Sequence, residues 1–219
     1  MSTSMSEVQS HGFSWQNEIL KIYGATQEEL DGIGYTDAED LPAAFNRLDG
    51  ISLSIKTAGN KNAICMADCL RVFDMITGPI RMVVIRYIQK KDIKQISRII
   101  EVDLSNSRDL LFGTLTREQI ETLDKAVKSV PQKRKPSQEE HKHMYDIKKQ
   151  LQKISGAMSL NIKCNSTQSR LQCSIPFKKF ELLIKNNPSR VIAQSNTNEF
   201  RGGTISHEIQ SCCRKFKPK

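Results

Sequence analysis

The chain has 219 residues and carries 33 Lys and Arg against 24 Asp and Glu, a formal net charge of +9. That length suffices for one domain with a real core, or one domain plus a small appendage. No apolar run approaches the ~20 residues a membrane span needs, and the opening MSTSMSEVQS has neither the positive start nor the apolar core of a signal peptide, so a cytoplasmic, reducing setting is expected.

SWQNEILKIYG, residues 14–24, reads as a helix capped by Ser14 and stopped at Gly24. Residues 25–48 are acidic and irregular, punctuated by Gly34 and Pro42. Residues 51–57 form a strand with Ile51, Leu53 and Ile55 on one face and Ser52, Ser54 and Lys56 on the other. TAGNKN is a loop, and AICMADCLRVFDMI, residues 63–76, reads as a mostly apolar helix ending at TGP. RMVVIRYIQ, residues 81–89, is a nearly continuous apolar run and hence a buried strand. The turn KKD leads to a neighbouring strand, KQISRIIEVDL.

Thr116 and Gln119 make a capping box for a helix that Pro131 ends, and PQKRKP is a basic linker. Ser137 and Glu140 form a second box, followed by an apolar stripe of Met144, Ile147, Leu151 and Ile154, with Gly156 closing the helix. MSLNIKCNSTQSRLQCSI, residues 158–175, alternates apolar and polar side chains on both sides of a turn-like NSTQS, as a hairpin does. The organisation expected is a core over residues 1–131 with a basic region, residues 132–219, packed on it, or one domain overall.

Charge follows the same division. Residues 1–132 hold 15 basic and 18 acidic side chains (−3), whereas residues 133–219 hold 18 and 6 (+12). A basic half joined to a mildly acidic one points to a polyanion partner, most simply nucleic acid. The polar side of the hairpin suits it. Arg170 matches guanine, Asn165, Gln168 and Gln172 match adenine, and Lys163 and Ser174 match phosphate. A two-stranded ribbon fits the major groove. Cys65, Cys69, Cys164, Cys173, Cys212 and Cys213 show no paired CxxC and no zinc-type spacing, and His141 and His143 read as helix-surface residues.

Most strand lysines are solvated, so Lys56 alone says little. Its surroundings say more. A helix with Glu18, an acidic segment, a strand ending I-K-T, a helix and a buried strand together resemble the core of the PD-(D/E)xK nuclease superfamily. LDGISLSIKTAGNKNAICMADCLRVF and STQSRLQCSI look most like type II restriction endonucleases. The resemblance covers residues 14–105, and less of the hairpin. It implies an α/β (α+β) fold with a mixed central sheet flanked by helices, and a C-terminal helix and hairpin that recognise DNA. It also implies Mg²⁺-dependent cleavage of double-stranded DNA by a homodimer, with no small-molecule cofactor and no membrane.

Carried over by residue, the resemblance matches Lys56 to the motif lysine and puts Ser54 where Asp or Glu is usual. Asp49, seven residues before Lys56, is the nearest match to the first aspartate, with Asp40 or Asp37 as alternatives. Glu18 matches the helical glutamate. The catalytic set implied is Asp49, Lys56, Glu18 and Ser54, with Asp49, Glu18 and Asp40 as metal ligands. Glu101 and Asp103 are further candidates for a missing ligand, while Asp68 and Arg71, three apart on a helix, read as structural support. The other class of function compatible with these residues is a sequence-specific DNA-binding protein without catalysis, such as a repressor.

Overall fold

The computed structural model describes residues 7–32 and 39–210, with side chains from Ser14 onward; Asp37, Cys212 and Cys213 lie outside the described residues. The fold is mixed α+β, with a mixed central sheet flanked by helices. Two compact units form: one from Met1–Asn62, Ile80–Asp103 and Ser189–Lys219, the other from Ala63–Pro79 and Leu104–Pro188. The chain thus passes back and forth between the two units. Among the described residues no helix is long and apolar enough to cross a membrane.

In the first unit, α1 spans Glu7–Ile22. It begins seven residues ahead of Ser14, which lies inside the helix and caps nothing. Trp15, Ile19, Leu20 and Tyr23 recur at helical spacing and are all buried. They pack on one face of a sheet built from β1 (Ser52–Gly59), β3 (Ile80–Lys90) and β4 (Ile93–Asp103). β1 runs parallel to β3, in register from Ser52 opposite Ile80. β4 is antiparallel to β3 and pairs on its other side with β7 (Val191–Ser195) and β10 (Glu208–Gln210). Met82, Val83, Val84 and Ile85 are fully buried, which is why this strand reads as continuously apolar rather than alternating.

In the second unit, the stretch expected as one helix divides into a strand, β2 (Ile64–Asp68), and a helix, α3 (Cys69–Met75). Ile64 and Met66 are buried while Cys65 is exposed, the period of a strand. A bulge between Cys65 and Ala67 ends the alternation. Asp68 then accepts from the Arg71 amide at 2.9 Å and caps α3, so the Asp68–Arg71 spacing marks a helix start. A short α4 (Arg108–Phe112) and α7 (Phe177–Asn186) were not anticipated. Both capping boxes form, on α5 (Arg117–Lys128) and α6 (Gln138–Ile154).

The hairpin forms as expected, from β5 (Ser159–Asn165) and β6 (Gln168–Ile175). β2 pairs with β6 to make a three-stranded sheet, ordered β2-β6-β5, not a free two-stranded ribbon. Gly113 and Gly156 serve a close approach of two backbones. Gly113 has φ +64, and a Cβ there would lie 2.2 Å from the Ile154 carbonyl. Ser155, not Gly156, is the C-cap of α6.

Candidate functional site

The segment before β1 returns antiparallel along its free edge. Leu41 and Leu53 exchange backbone hydrogen bonds, Leu53 N–H to Leu41 O at 2.8 Å and Leu41 N–H to Leu53 O at 3.1 Å. Both leucines are fully buried in the α1-facing core. Alternation then puts Asp40 on the other face, beside Ser54. Its Oδ2 accepts from the Ile55 amide at 2.6 Å, from Lys56 Nζ at 3.1 Å and from Ser54 Oγ at 3.2 Å. Its Oδ1 accepts from Gln16 Nε2 of α1 at 3.0 Å. Next to it, Glu39 accepts from Ser52 Oγ at 2.7 Å.

Burial grades outward along this face. Ser54 is 2% exposed, whereas the Lys56 and Asp40 side chains are 21% and 23% exposed. The strand therefore supplies a rigid floor, and an ammonium and a carboxylate reach from it to water. A phosphate arriving there would meet a cation whose position is set by a carboxylate that is itself held by a backbone amide.

Asp49 lies elsewhere. It accepts from Arg81 Nη1, from Arg201 Nη2 at 3.0 Å and from Asn46 Nδ2 at 2.8 Å. The same two guanidiniums meet Glu101, which is 0% exposed, at 3.1 and 3.3 Å. In register, Arg81 stands opposite Leu53 and Glu101 opposite Val83, so this cluster sits on the α1-facing side of the sheet and Lys56 on the other. Lys56 is also four strand positions beyond Ser52, about 13 Å along β1. Glu101 is thus a buried counter-ion. Burial, with Glu101 beside it, pushes the Tyr23 phenol well above its ordinary range. Asp103 stands opposite Arg81 in register at the end of β4.

Glu18 is also engaged away from Lys56. It accepts from the Ser206 amide at 2.6 Å and the Ser206 hydroxyl at 2.7 Å. Gln16, two residues earlier and so about 200° around the helix, is the side chain of α1 that reaches Asp40. Nothing in the sequence marks this glutamine among helix-surface residues. Asp40 could be picked out by parity, because an apolar Leu41 beside a strand partner turns its neighbour to the opposite face.

The structure therefore brings together Asp40, Ser54 and Lys56, with Gln16, and leaves Asp49 and Glu18 in other contacts. Mg²⁺ uses one or two protein carboxylates and completes its shell with water and substrate oxygens. Asp40 with the Ser54 hydroxyl meets the lower bound of that requirement. Among the described residues no group of three or more His, Cys, Asp or Glu side chains converges as a fuller cage would.

On the hairpin, Lys163 stands opposite Arg170, Asn161 opposite Gln172 and Ser159 opposite Ser174. Lys163 and Arg170 are exposed, and Gln168 Oε1 accepts from Arg170 Nε at 3.0 Å. Asn165 shapes the turn, its Oδ1 accepting from the Thr167 amide at 2.9 Å and the Gln168 amide at 3.1 Å. Ser174 is buried and receives Asn161 Nδ2 at 2.8 Å. Gln172 is half-buried. Of the six side chains expected to face DNA, Lys163, Gln168, Arg170 and Gln172 keep donors or acceptors free of the fold's own scaffolding.

Comparison with protein-family models, with curated proteins and with solved structures returns no match.

Proposed function

We propose that this chain is a sequence-specific endonuclease that hydrolyses phosphodiester bonds of double-stranded DNA with Mg²⁺, in the manner of a type II restriction enzyme acting as a homodimer. The observation that carries the reading is the 3.1 Å contact between Lys56 Nζ and Asp40 Oδ2 at a sheet edge, with Ser54 on the same carboxylate. Asp40 takes the role of the first aspartate in place of Asp49, whose charge is neutralised by two arginines.

Asp40, with the Ser54 hydroxyl, would hold the Mg²⁺, which when bound polarises a phosphoryl oxygen and helps deprotonate water. Lys56 places its ammonium where negative charge develops on the phosphorus oxygens, a preorganised stabiliser of the kind that dominates such barriers. Ser54, Gln16 and the Ile55 amide fix the carboxylate, so no reorganisation is needed when substrate arrives. Exposed Arg170 and half-buried Gln172 on the polar hairpin face read base edges, and the basic surface around them holds the backbone.

A second reading, a DNA-binding protein without catalysis, is favoured by Ser54 standing where the superfamily has an acid. Digestion of plasmid DNA separates the two. Discrete fragments in Mg²⁺ and none in EDTA are expected for the endonuclease; specific binding of duplex DNA with intact plasmid in Mg²⁺ would reject it in favour of the binder.

A further inference from the structure

β1 ends at Gly59, opposite Tyr87, whereas β3 runs on to Lys90. Where the two part, residues 59–62 fold into a turn, closed by the Asn62 amide on the Gly59 carbonyl at 2.9 Å. Arg86, only 2% exposed, clamps that turn. Its Nη1 donates to the Gly59 carbonyl at 3.2 Å and to the Asn62 carbonyl at 2.6 Å. Asn62 folds back over the turn as well, since a Cβ at residue 59 would lie 2.7 Å from its Nδ2. Burying a guanidinium is costly, and a surface turn does not require one. What the clamp fixes is the place of the two tip residues, Asn60 and Lys61. Both are exposed, and among the described residues neither makes a hydrogen bond or an ion pair.

The turn and the end of β3 enclose a cavity of about 360 Å³, lined by residues 59–62 and 87–89. Asn60, Asn62 and Gln89 bring three carboxamides to it, groups that donate and accept at once and match the N6 and N7 edge of adenine. Tyr87 is its aromatic wall, but Trp15 lies 6.0 Å from that ring and Lys94 Nζ 4.9 Å from its centroid. The ring is engaged by its own neighbours, so the cavity suits the edge of a base and not a base stacked flat. Charge favours the same ligand. The first unit is close to balanced, with 16 Lys and Arg against 14 Asp and Glu. Residues 59–62 and 86–95, which strand pairing brings together, hold 5 against 1. Glu208, which accepts from Gln95 Nε2 at 3.1 Å, adds one acid.

We propose that the turn over residues 59–62 is a DNA contact of its own, separate from the hairpin. The Asn60 carboxamide takes the edge of an adenine and the Lys61 ammonium a backbone phosphate, both flanking the bond cleaved at Lys56. Asn60 lies four residues beyond Lys56, about 13 Å along extended chain, which is about four base steps of a duplex. A reader carried on the same strand as Lys56 sets the distance between the base recognised and the bond cut. This rests on the DNA reading above but not on cleavage.

Fluorescence anisotropy of the full chain in EDTA tests it, on a duplex that the wild type selects from a randomised pool and on random duplex. Lys61→Gln should lower the slope of log K against log salt by about 0.9 on both, the value for one phosphate. Asn60→Ala should weaken binding of the selected duplex by about 5- to 150-fold, the range for one bidentate base contact, and leave random duplex unchanged. Scanning 7-deazaadenine, which lacks N7, through the selected duplex should find one adenine whose change weakens the wild type and not Asn60→Ala. Lys185→Gln, at an exposed lysine of α7, should leave slope and affinity unchanged. Wild-type slope and affinity in Lys61→Gln and Asn60→Ala would overturn the contact and leave the DNA reading standing, as would an equal loss with Lys185→Gln. A larger effect on single-stranded than on duplex DNA would reject the duplex as the ligand. A wild type that selects no duplex would reject the DNA reading and this contact with it. If both variants behave as expected but plasmid is never cut in Mg²⁺, this inference stands and the endonuclease reading fails.

Discussion

Asp49→Asn and Asp40→Asn are the same chemical change at two aspartates nine residues apart, and they should fail in opposite ways. Asp49 and Glu101 balance Arg81 and Arg201. Removing one carboxylate leaves Glu101 alone between two guanidiniums whose side chains are 14% and 24% exposed. Breaking a buried pair costs about 3–5 kcal/mol. Asp49 is 18% exposed and Asn retains an acceptor, so about 3 kcal/mol is expected. For a chain of this size that lowers Tm by about 6–12 °C. Asn at position 40 still accepts from the Ile55 amide, so its cost is about 1 kcal/mol, while Mg²⁺-dependent cleavage should fall by about 10²-fold or more with the lost anionic ligand. Thermal unfolding followed by circular dichroism, alongside plasmid digestion below the lower Tm, gives both readings. A normal melting curve with abolished cleavage for Asp49→Asn, or full cleavage by Asp40→Asn, would refute the assignment.

Lys56→Ala should keep the fold and specific DNA binding and lose about 10²-fold or more in cleavage rate, the scale of removing one preorganised charge stabiliser; near-normal cutting would return Lys56 to an ordinary strand lysine. Arg170→Ala and Gln172→Ala should each weaken specific binding by about 1–3 kcal/mol and leave random duplex binding largely intact. Equal losses on both duplexes would make the hairpin an electrostatic clamp. Glu140, held down at about 2 by the Arg134 guanidinium and the Ser137 amide, contributes to the start of α6 above its unfolded value near ~4.3. Because its folded pKa is the lower one, that contribution is lost as pH falls from about 5 toward 2. Protection of the amides in the first turn of α6, relative to their intrinsic exchange rates at each pH, should fall over that window, and an ordinary titration of Glu140 would contradict the capping geometry.

The local signals were legible where one face or one cap decides the structure. The two capping boxes, the apolar run of β3, the turn before β4 and the alternation of β5 and β6 all follow from side-chain period and short-range hydrogen bonding, and they form as read. So does the shared face of Ser54 and Lys56, because strand parity is a property of the backbone alone. Residues 63–76 were not legible. An apolar run that short suits either element, and the pairing of β2 with β6, more than 100 residues away in sequence, made half of it a strand. Only tertiary structure decided which acid meets Lys56. Asp49 is closer in sequence, but it turns toward Arg81 and Arg201, the latter 152 residues on. Asp40 arrives because Leu41 is buried beside Leu53, and burying an apolar side chain fixes where its polar neighbour must point. Gln16 joined that site in the same way, through the packing of α1, which a one-dimensional pattern does not record.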